Sequence, residues 1–305
     1  MGITLALIAG VFNSLTNFCV KKGIDIEGTA KLFFLCQILA SSLFALILGP
    51  LLKGEFTIQL YPSLLGICAG IILYIMLFSL GIAVEKGTPG LTFATLNSAT
   101  ILPGIIMAYL FGADCGFYIG LAHVVGLLFV IIGLFWGVTG VKQIREKNVW
   151  ITFASMVFLF HIFLLCLFQY RAMLIKVADL KQFDSEWFTP FMFLTCLSIQ
   201  LIAYLYSNRR FPNRKEIMVG FAGGLTTLLC TLSLLLSAKK ALPFENAVIF
   251  PMASVASILL TNFWSQKLYS EEINWKACQL LVFGIIIGTI NWKLILTKIG
   301  GLLGL

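Results

Sequence analysis

Charged residues are scarce in this chain of 305 residues: only 11% are Asp, Glu, Lys or Arg, and 60% are hydrophobic. Soluble domains carry about 25% charged residues, so a water-soluble globule is excluded. One bilayer crossing takes about 20 apolar residues, and ten crossings leave only short connectors. The composition therefore predicts an all-α integral membrane protein with ten transmembrane helices and no sizeable aqueous domain.

Motifs for metal, redox or nucleotide chemistry are also lacking. The eight cysteines are scattered without any Cys-x-x-Cys, so we expect neither a disulfide framework nor a metal site. Phosphate loops, dinucleotide fingerprints and hydrolase signatures are missing. We therefore expect no enzyme, no nucleotide-driven pump and no cofactor. Nucleic acid is not an expected partner, because most of the 21 Lys and Arg lie in connectors, where they set topology and contact lipid headgroups.

Ten uncharged runs are long enough to cross a bilayer, and they must be helical because lipid offers no partners to bare backbone groups. The chain opens directly into the first run without preceding Lys or Arg, so we expect this span to be retained rather than cleaved. Pro103 and Pro251 fall inside the fourth and ninth spans and are predicted to bend them. The spans are Met1–Val20, Leu32–Leu52, Phe56–Val84, Gly87–Ala113, Cys115–Val141, Trp150–Tyr170, Trp187–Ser207, Ile217–Ala238, Asn246–Gln266 and Ala277–Trp292.

The two halves of the chain match each other in an ordered series of short segments. We infer a first five-helix repeat at 1–141, a connector at 142–149 and a second repeat at 150–305. Because five is odd, the second copy must enter the membrane inverted, an arrangement that places the binding site of many secondary transporters at the repeat interface. The matches include Ile3–Ala6 with Ile151–Ala154, Asn13 with His161, Gly66 and Gly70 with Gly220 and Gly224, Glu85–Pro89 with Lys239–Pro243, and Ile131–Gly133 with Ile286–Gly288.

Two segments, Gly87–Pro103 and Asn246–Leu260, are similar to the fourth helix of a repeat in the ten-helix drug/metabolite transporter superfamily. Each has a small or proline-containing entry followed by a polar and small face. The glutamate that usually ends this helix in the superfamily is missing from both copies. The resemblance implies two inverted five-helix repeats and transport of a small metabolite such as an amino acid, a sugar or a nucleotide derivative.

Ionisable groups are the first candidates for a site, because in a membrane span they face the protein interior or a water-filled cavity. All thirteen carboxylates fall in connectors or at helix ends, so no proton relay is visible. His161 lies midway along the sixth span. It either contacts substrate and couples protons, or packs against a neighbouring helix. Exchange against a counter-substrate and facilitated transport are the alternatives to proton coupling.

The remaining candidates are polar side chains that would line a cleft between the repeats. Each has a plainer interpretation, as an interhelical hydrogen bond or, for the lysines, as a headgroup contact. The predicted substrate-binding residues are Asn13, Asn17, Asn97, Ser98, His161, Glu245, Asn246 and Ser254. The predicted vestibule residues are Lys21, Lys22, Tyr74, Gln169 and Tyr170.

Four glycine pairs with three residues between them are predicted to let helices approach closely. The pairs are Gly66/Gly70, Gly116/Gly120, Gly220/Gly224 and Gly284/Gly288. The last pair could instead join two subunits, so monomer and homodimer both stay open.

Two observations disagree about which side of the membrane holds the termini. Thirteen of the basic residues fall on one side and eight on the other, so the positive-inside rule puts both termini outside. The resembled superfamily places both termini inside, and we adopt that orientation. We expect a secondary transporter in a bacterial cytoplasmic membrane that moves a small polar or amphipathic metabolite by alternating access. A non-transporting membrane scaffold or subunit is the alternative.

Overall fold

The computed structural model describes residues 1–26, 29–112, 115–117, 120–139, 146–207 and 210–289. Within these ranges the chain forms eleven α-helices and no strands. The end of the predicted tenth span, from residue 290 onward, lies outside the described residues. The helices are α1 (Gly2–Asp25), α2 (Ala30–Leu46), α3 (Leu60–Lys86), α4 (Pro89–Ser98), α5 (Ile101–Phe111), α6 (Leu121–Thr139), α7 (Lys147–Lys176), α8 (Phe188–Ser207), α9 (Arg214–Lys240), α10 (Ile249–Tyr269) and α11 (Trp275–Ile287).

Three short elements complete the description. A π-helical turn over Ile47–Leu51 extends α2, and it contains Pro50. Turns of 3₁₀ helix at Lys181–Phe183 and Pro243–Glu245 precede α8 and α10.

Seven helical stretches of the described chain are long and apolar enough to cross a membrane: α1, α2 with its π turn, α3, α4 with α5, α7, α8 and α9. The surface has the polarity that a bilayer imposes. On α1, Leu7, Val11 and Leu15 are exposed, whereas Ser14 and Asn17 are buried. Apolar groups outside and polar groups inside reverse the pattern of a soluble helix. The chain is therefore an integral membrane protein.

Glycines set the closest helix contacts. On α3, a Cβ added to Gly70 would lie 2.4 Å from the carbonyl oxygen of Met192 on α8. On α9, a Cβ added to Gly224 would lie 2.4 Å from the carbonyl oxygen of Gln37 on α2. These distances are far below van der Waals contact, so only glycine permits the observed approach of the two backbones.

The other two glycine pairs differ in outcome: helix packing is confirmed for Gly284/Gly288, and it is wrong for Gly116. Gly288, the C-cap residue of α11, packs against Gly126 on α6, where an added Cβ on Gly126 would lie 2.3 Å from the Cα of Gly288. This pair therefore serves packing within the subunit, and not a subunit interface. Gly116 lies outside a helix, has φ +84° and abuts the backbone of Pro243. It supports a turn that L side chains rarely adopt, rather than a helix–helix contact.

We expect Gly70→Leu to lower the free energy of unfolding by about 1–3 kcal/mol, the usual cost of overpacking, because α3 and α8 must separate. Thermal unfolding of the purified protein in detergent measures the effect. Cys68→Leu is the matched control, since Cys68 is on the same helix and exposed. Equal melting temperatures for the two variants would contradict the close approach.

The fourth predicted span is two helices, and not one bent helix. Pro103 lacks an N–H, so the carbonyl of Ala99 one turn earlier loses its helical partner. The chain responds by turning at residues 99–100, where the N–H and hydroxyl of Thr100 both donate to the carbonyl of Asn97, at 3.3 and 2.8 Å. Pro251 lies in the first turn of α10, where backbone N–H groups have no intrahelical acceptor. A proline there removes no helical hydrogen bond. The predicted bend at Pro251 is therefore wrong.

Candidate functional site

A cavity of about 100 Å³ lies at the centre of the bundle among α1, α2, α3, α7, α8 and α9, with Leu96 of α4 in its wall. One wall is polar, and the wall from α3 and α8 is formed by Leu, Met and Phe side chains. Among the described residues, those that line the cavity carry no charge. The polar lining residues are Asn13, Thr16, Asn17, Gln37, His161, Thr227 and Thr231.

The amide of Asn13 lies at the junction of three helices. Its Nδ2 donates to Asn97 Oδ1 on α4 at 2.9 Å and to Ser257 Oγ on α10 at 3.1 Å. Ser254, one turn earlier on α10, donates to the same Asn97 oxygen at 3.5 Å. Asn97 is fully buried, and its own Nδ2 donates to the carbonyl of Phe93 at 2.8 Å. The structure thus brings Asn13, Asn97 and Ser254 together.

His161 contacts α4 through the interruption of that helix. Its Nδ1 lies 2.7 Å from the carbonyl oxygen of Leu96. In a regular helix the N–H of Thr100 would bond this carbonyl, but it bonds Asn97 instead, and the Leu96 carbonyl accepts a 3.3 Å bond from the N–H of Ala99. A carbonyl can only accept, so the proton of neutral His161 is on Nδ1 and Nε2 is an acceptor. Nε2 accepts no hydrogen bond from the described residues.

Asn17 reaches the same polar wall one turn along α1. It is buried, and its Nδ2 donates to Thr261 Oγ1 on α10 at 3.3 Å. Thr261 in turn donates to Ser14 Oγ at 3.3 Å, which also accepts from Trp264 Nε1 at 2.9 Å. The α1–α10 contact is therefore a ladder of polar groups whose inner edge borders the cavity.

Sequence reasoning missed the contribution of α2 and α9. Gln37 is buried, and its Nε2 donates to Thr227 Oγ1 at 2.6 Å. Thr16 Oγ1 and Thr226 Oγ1 are 3.0 Å apart across α1 and α9. Gln37 is the single amide in the second predicted span, and that isolation in an apolar run was the available signal.

Five of the eight predicted binding residues do not line the cavity: Asn97 and Ser254 are linked to it only through Asn13, and the other three lie elsewhere. Ser98 is buried but donates to Thr95 of its own helix at 2.7 Å, and it does not line the cavity. Asn246 lies at the end of the bundle, where its Oδ1 accepts from Lys176 Nζ at 2.8 Å and its Nδ2 donates to the carbonyl of Cys115 at 2.8 Å. Glu245 lies beside it.

Glu245 stabilises a turn rather than facing the cavity. Its Oε2 accepts from the N–H of Leu242 at 2.9 Å, and its Oε1 is 3.6 Å from the N-terminal ammonium of Met1. Burial opposes ionisation of this carboxyl, but the backbone N–H groups and the ammonium outweigh it and hold the pKa below its ordinary value.

The predicted vestibule residues are dispersed. Lys21 forms an ion pair with Asp25 at 2.8 Å and Lys22 lies 5.7 Å from the ring of Phe18. Tyr74 lines a separate cavity of about 250 Å³ between α2, α3 and α8. The other two are on α7 outside the central cavity: Gln169 is buried, and Tyr170 packs against the ring of Phe111. A shared vestibule is not formed by these five residues.

A cluster of charged side chains lies at one end of the bundle around a separate cavity of about 210 Å³, and we call this end the seal; it comprises Lys53, Arg171, Asp184, Glu186 and Lys239. Arg171 on α7 is buried; its Nη2 donates to the carbonyl of Ser185 at 3.1 Å and its guanidinium lies 4.9 Å from the ring of Phe188. Phe188 in turn packs edge-to-face on Phe168, which lines the cavity. Arg171 is thus linked to the cavity wall through two aromatic rings.

Ion pairs hold the connector between α7 and α8 over the seal. Lys53 pairs with Glu186, and Lys239 pairs with Asp184 at 2.5 Å. The end of α7 is also tied to the end of α9, because Lys176 Nζ donates to the carbonyls of Ala238 and Ala241 at 2.9 and 3.1 Å. These contacts join α2, α7, α8 and α9 at one end of the cavity.

No family model and no curated protein matches this chain. One solved structure, described only as "Crystal structure of protein", resembles it with a TM-score of 0.66, at 14% sequence identity, over 93% of this chain and 96% of the other. At that identity the likeness shows a shared fold and carries no information about function.

Proposed function

We propose that this protein is a secondary transporter built from two inverted five-helix repeats, and that it moves a small polar or amphipathic metabolite by alternating access. The observation that carries the proposal is the convergence of Asn13, Gln37 and His161, from three helices far apart in sequence, on one uncharged cavity among the membrane spans. Polar groups are costly in a membrane interior unless they have partners, so a polar wall around a cavity favours a ligand.

Helix packing supports the repeat. If α1, α2, α3 and α6 correspond to α7, α8, α9 and α11, the contact of α1 with α9 should have a counterpart between α7 and α3. The contact of α2 with α9 should have one between α8 and α3. Both counterparts are present, and α2 packs on α8 and α6 on α11, as a two-fold relation requires.

One asymmetry in this packing supports alternating access. At the seal, α7 packs against α9, whereas in the described part of the chain the corresponding pair, α1 and α3, makes no comparable contact. The sequence register that pairs Asn13 with His161 pairs Arg171 with Gly23, so the side chain that fills the seal has no counterpart at the opposite end. A carrier in one half of its cycle has one end packed closed and the equivalent end open, and the difference between the α7–α9 and α1–α3 ends fits this description.

Distances between spin labels at the two ends test this proposal. One labelled pair is Val177 and Lys240 at the seal, and the other is Asp25 and Lys86 at the opposite end. We expect Arg171→Met to lengthen the first distance and shorten the second, because the two ends of a carrier cannot open together. Fixed distances in both pairs, in the wild type and in the variant, would favour the scaffold alternative.

Flux in proteoliposomes is the second arm of the test. Radiolabelled amino acids, sugars and nucleosides are offered one at a time, and we expect uptake of at least one of them above that of protein-free liposomes. Asn13→Leu should abolish this uptake, whereas Leu15→Ala, on the exposed face of the same helix, should retain it. Uptake that is unaffected by Asn13→Leu would contradict the proposed site.

A further inference from the structure

We propose that the central cavity takes an uncharged molecule that presents N–H or O–H groups to the polar wall and an apolar face to α3 and α8. This inference rests on the proposed function for its site and adds the chemical class of the substrate. It depends on which hydrogen-bonding atoms the protein has already used and which it leaves free.

Both N–H groups of Asn13 Nδ2 donate hydrogen bonds within the protein, and its Oδ1 remains as a free acceptor. Asn97 Nδ2 must face the carbonyl of Phe93, because a carbonyl cannot donate. The Oδ1 of Asn97 therefore faces Asn13, and Asn13 must donate to it through Nδ2. The orientation of both amides follows from one backbone carbonyl. Asn13 Oδ1 then accepts no hydrogen bond from the described residues.

Gln37 is oriented by the same kind of argument. The hydroxyl of Thr227 donates to the carbonyl of Gly223 at 2.7 Å, so towards Gln37 it can only accept. Gln37 must then present Nε2 to Thr227, which leaves Oε1 buried without a partner among the described residues. A buried acceptor without a donor costs about 1–3 kcal/mol, and a bound donor would remove that cost.

His161 adds a third acceptor at Nε2, since Nδ1–H donates to the carbonyl of Leu96. Asn17 adds a fourth, because its Nδ2 is used by Thr261. Four lining side chains therefore each keep an acceptor without a donor from the described residues. A carboxylate or phosphate would leave these four acceptors unpaired and would bury its own charge without a cation among the lining residues.

The absence of charge among the described lining residues narrows the ligand further. A cation would satisfy the four acceptors, but no carboxylate lines the cavity to compensate its charge. Burying an unpaired ammonium far outweighs the gain from a few neutral hydrogen bonds. A neutral hydroxyl or amide compound satisfies the acceptors without that cost, and the apolar wall accommodates its hydrocarbon part.

Binding of four probes with the same six-carbon chain tests the inference: 1,2-hexanediol, its dimethyl ether, hexylammonium and hexanoate. Saturation-transfer NMR is recorded on the protein in nanodiscs, and the signal from empty nanodiscs is subtracted. We expect protein-dependent binding of the diol and at least tenfold weaker binding of the other three. Equal binding of the ether, or preferred binding of hexanoate or hexylammonium, would overturn the inference.

Two substitutions of Gln37 assign the effect to the cavity. Gln37→Leu should weaken diol binding by about tenfold, the effect of about 1.4 kcal/mol. Gln37→Glu should reverse the preference towards hexylammonium by supplying the missing charge. The inference would also be overturned if Gln37→Glu melted at the wild-type temperature and still preferred the diol over hexylammonium. Binding is measured without transport, so diol binding in the absence of any flux would contradict the proposed function alone, whereas flux of an anion would contradict this inference alone.

Discussion

Replacing Arg171 with Met is expected to open the seal and to speed labelling of a cysteine introduced at Thr189 by a charged maleimide about tenfold. Thr189 is in the first turn of α8 and is buried in the wild type. The guanidinium attracts the carboxylates of Asp184, Glu186 and Glu55 and stacks on Phe188. Met retains most of the apolar stem but removes the charge, so the connector over the seal loses its common partner. A tenfold change corresponds to about 1.4 kcal/mol of lost closure energy.

Lys181→Met is the matched control for this experiment. Lys181 is exposed on the same connector and forms no ion pair with a described residue. We expect it to leave the labelling rate of the cysteine at position 189 unchanged. Labelling in detergent solution avoids any dependence on orientation in vesicles. If Arg171→Met and Lys181→Met label at the same rate, the buried guanidinium does not hold the seal closed.

Replacing Asn97 with Leu is expected to lower the free energy of unfolding by about 1–3 kcal/mol, the cost of leaving buried polar groups unpaired. Asn97 Oδ1 accepts from two helices, so its loss leaves Ser254 without that acceptor and Asn13 Nδ2 with Ser257 alone. Leu has the same branching and the same number of side-chain heavy atoms as Asn, so the substitution leaves no cavity.

A double-mutant cycle between Asn13 and Asn97 isolates the contact. We expect a coupling energy of about 0.6–1.7 kcal/mol, the range measured for hydrogen bonds between transmembrane helices. Thermal or chemical unfolding in mixed micelles provides the four free energies. Asn13 with Thr95 is the control cycle, because Thr95 is buried on the same helix but donates to its own backbone at Leu91. Additive effects in both cycles would show that the Asn13–Asn97 bond contributes nothing.

The two sets of residues have different parts in the proposed transport cycle. Asn13, Gln37 and His161 are uncharged and border the cavity, whereas the ion pairs Lys53–Glu186 and Lys239–Asp184 gather at one end of the bundle. Charged pairs near a helix end can separate into water when the end opens, at little cost in exposed positions. Neutral amides in the membrane interior cannot, and they keep their partners throughout.

Several features of this protein follow from sequence alone, for a simple physical reason. The bilayer requires long apolar helices, so the runs between charges predict the spans to within a few residues, as for α8 at Phe188–Ser207. It also penalises polar groups on the outside. An amide at Asn13 or Asn97 must therefore face inward, which made both residues candidates before any contact was known.

Tertiary structure decided which of the inward-facing groups share a site. The sequence placed Glu245 and Asn246 near a repeat interface, but their partners hold a turn at the end of the bundle. Gln37 was overlooked because nothing local distinguishes a cavity residue from a packing residue. Its role depends on a threonine 190 positions away in the chain.

The tautomer of His161 and the free acceptors of the cavity also lie beyond the reach of sequence. They depend on the break between α4 and α5, where the carbonyl of Leu96 loses its usual partner Thr100 and accepts from a histidine 65 positions later in the chain as well as from Ala99. The contacts of Arg171 with Ser185 and Phe188 likewise form only when α7 and α8 pack together. Sequence determines which residues leave the lipid, because that choice is local; hydrogen-bond partners are chosen in three dimensions, because helices far apart in the chain must first pack.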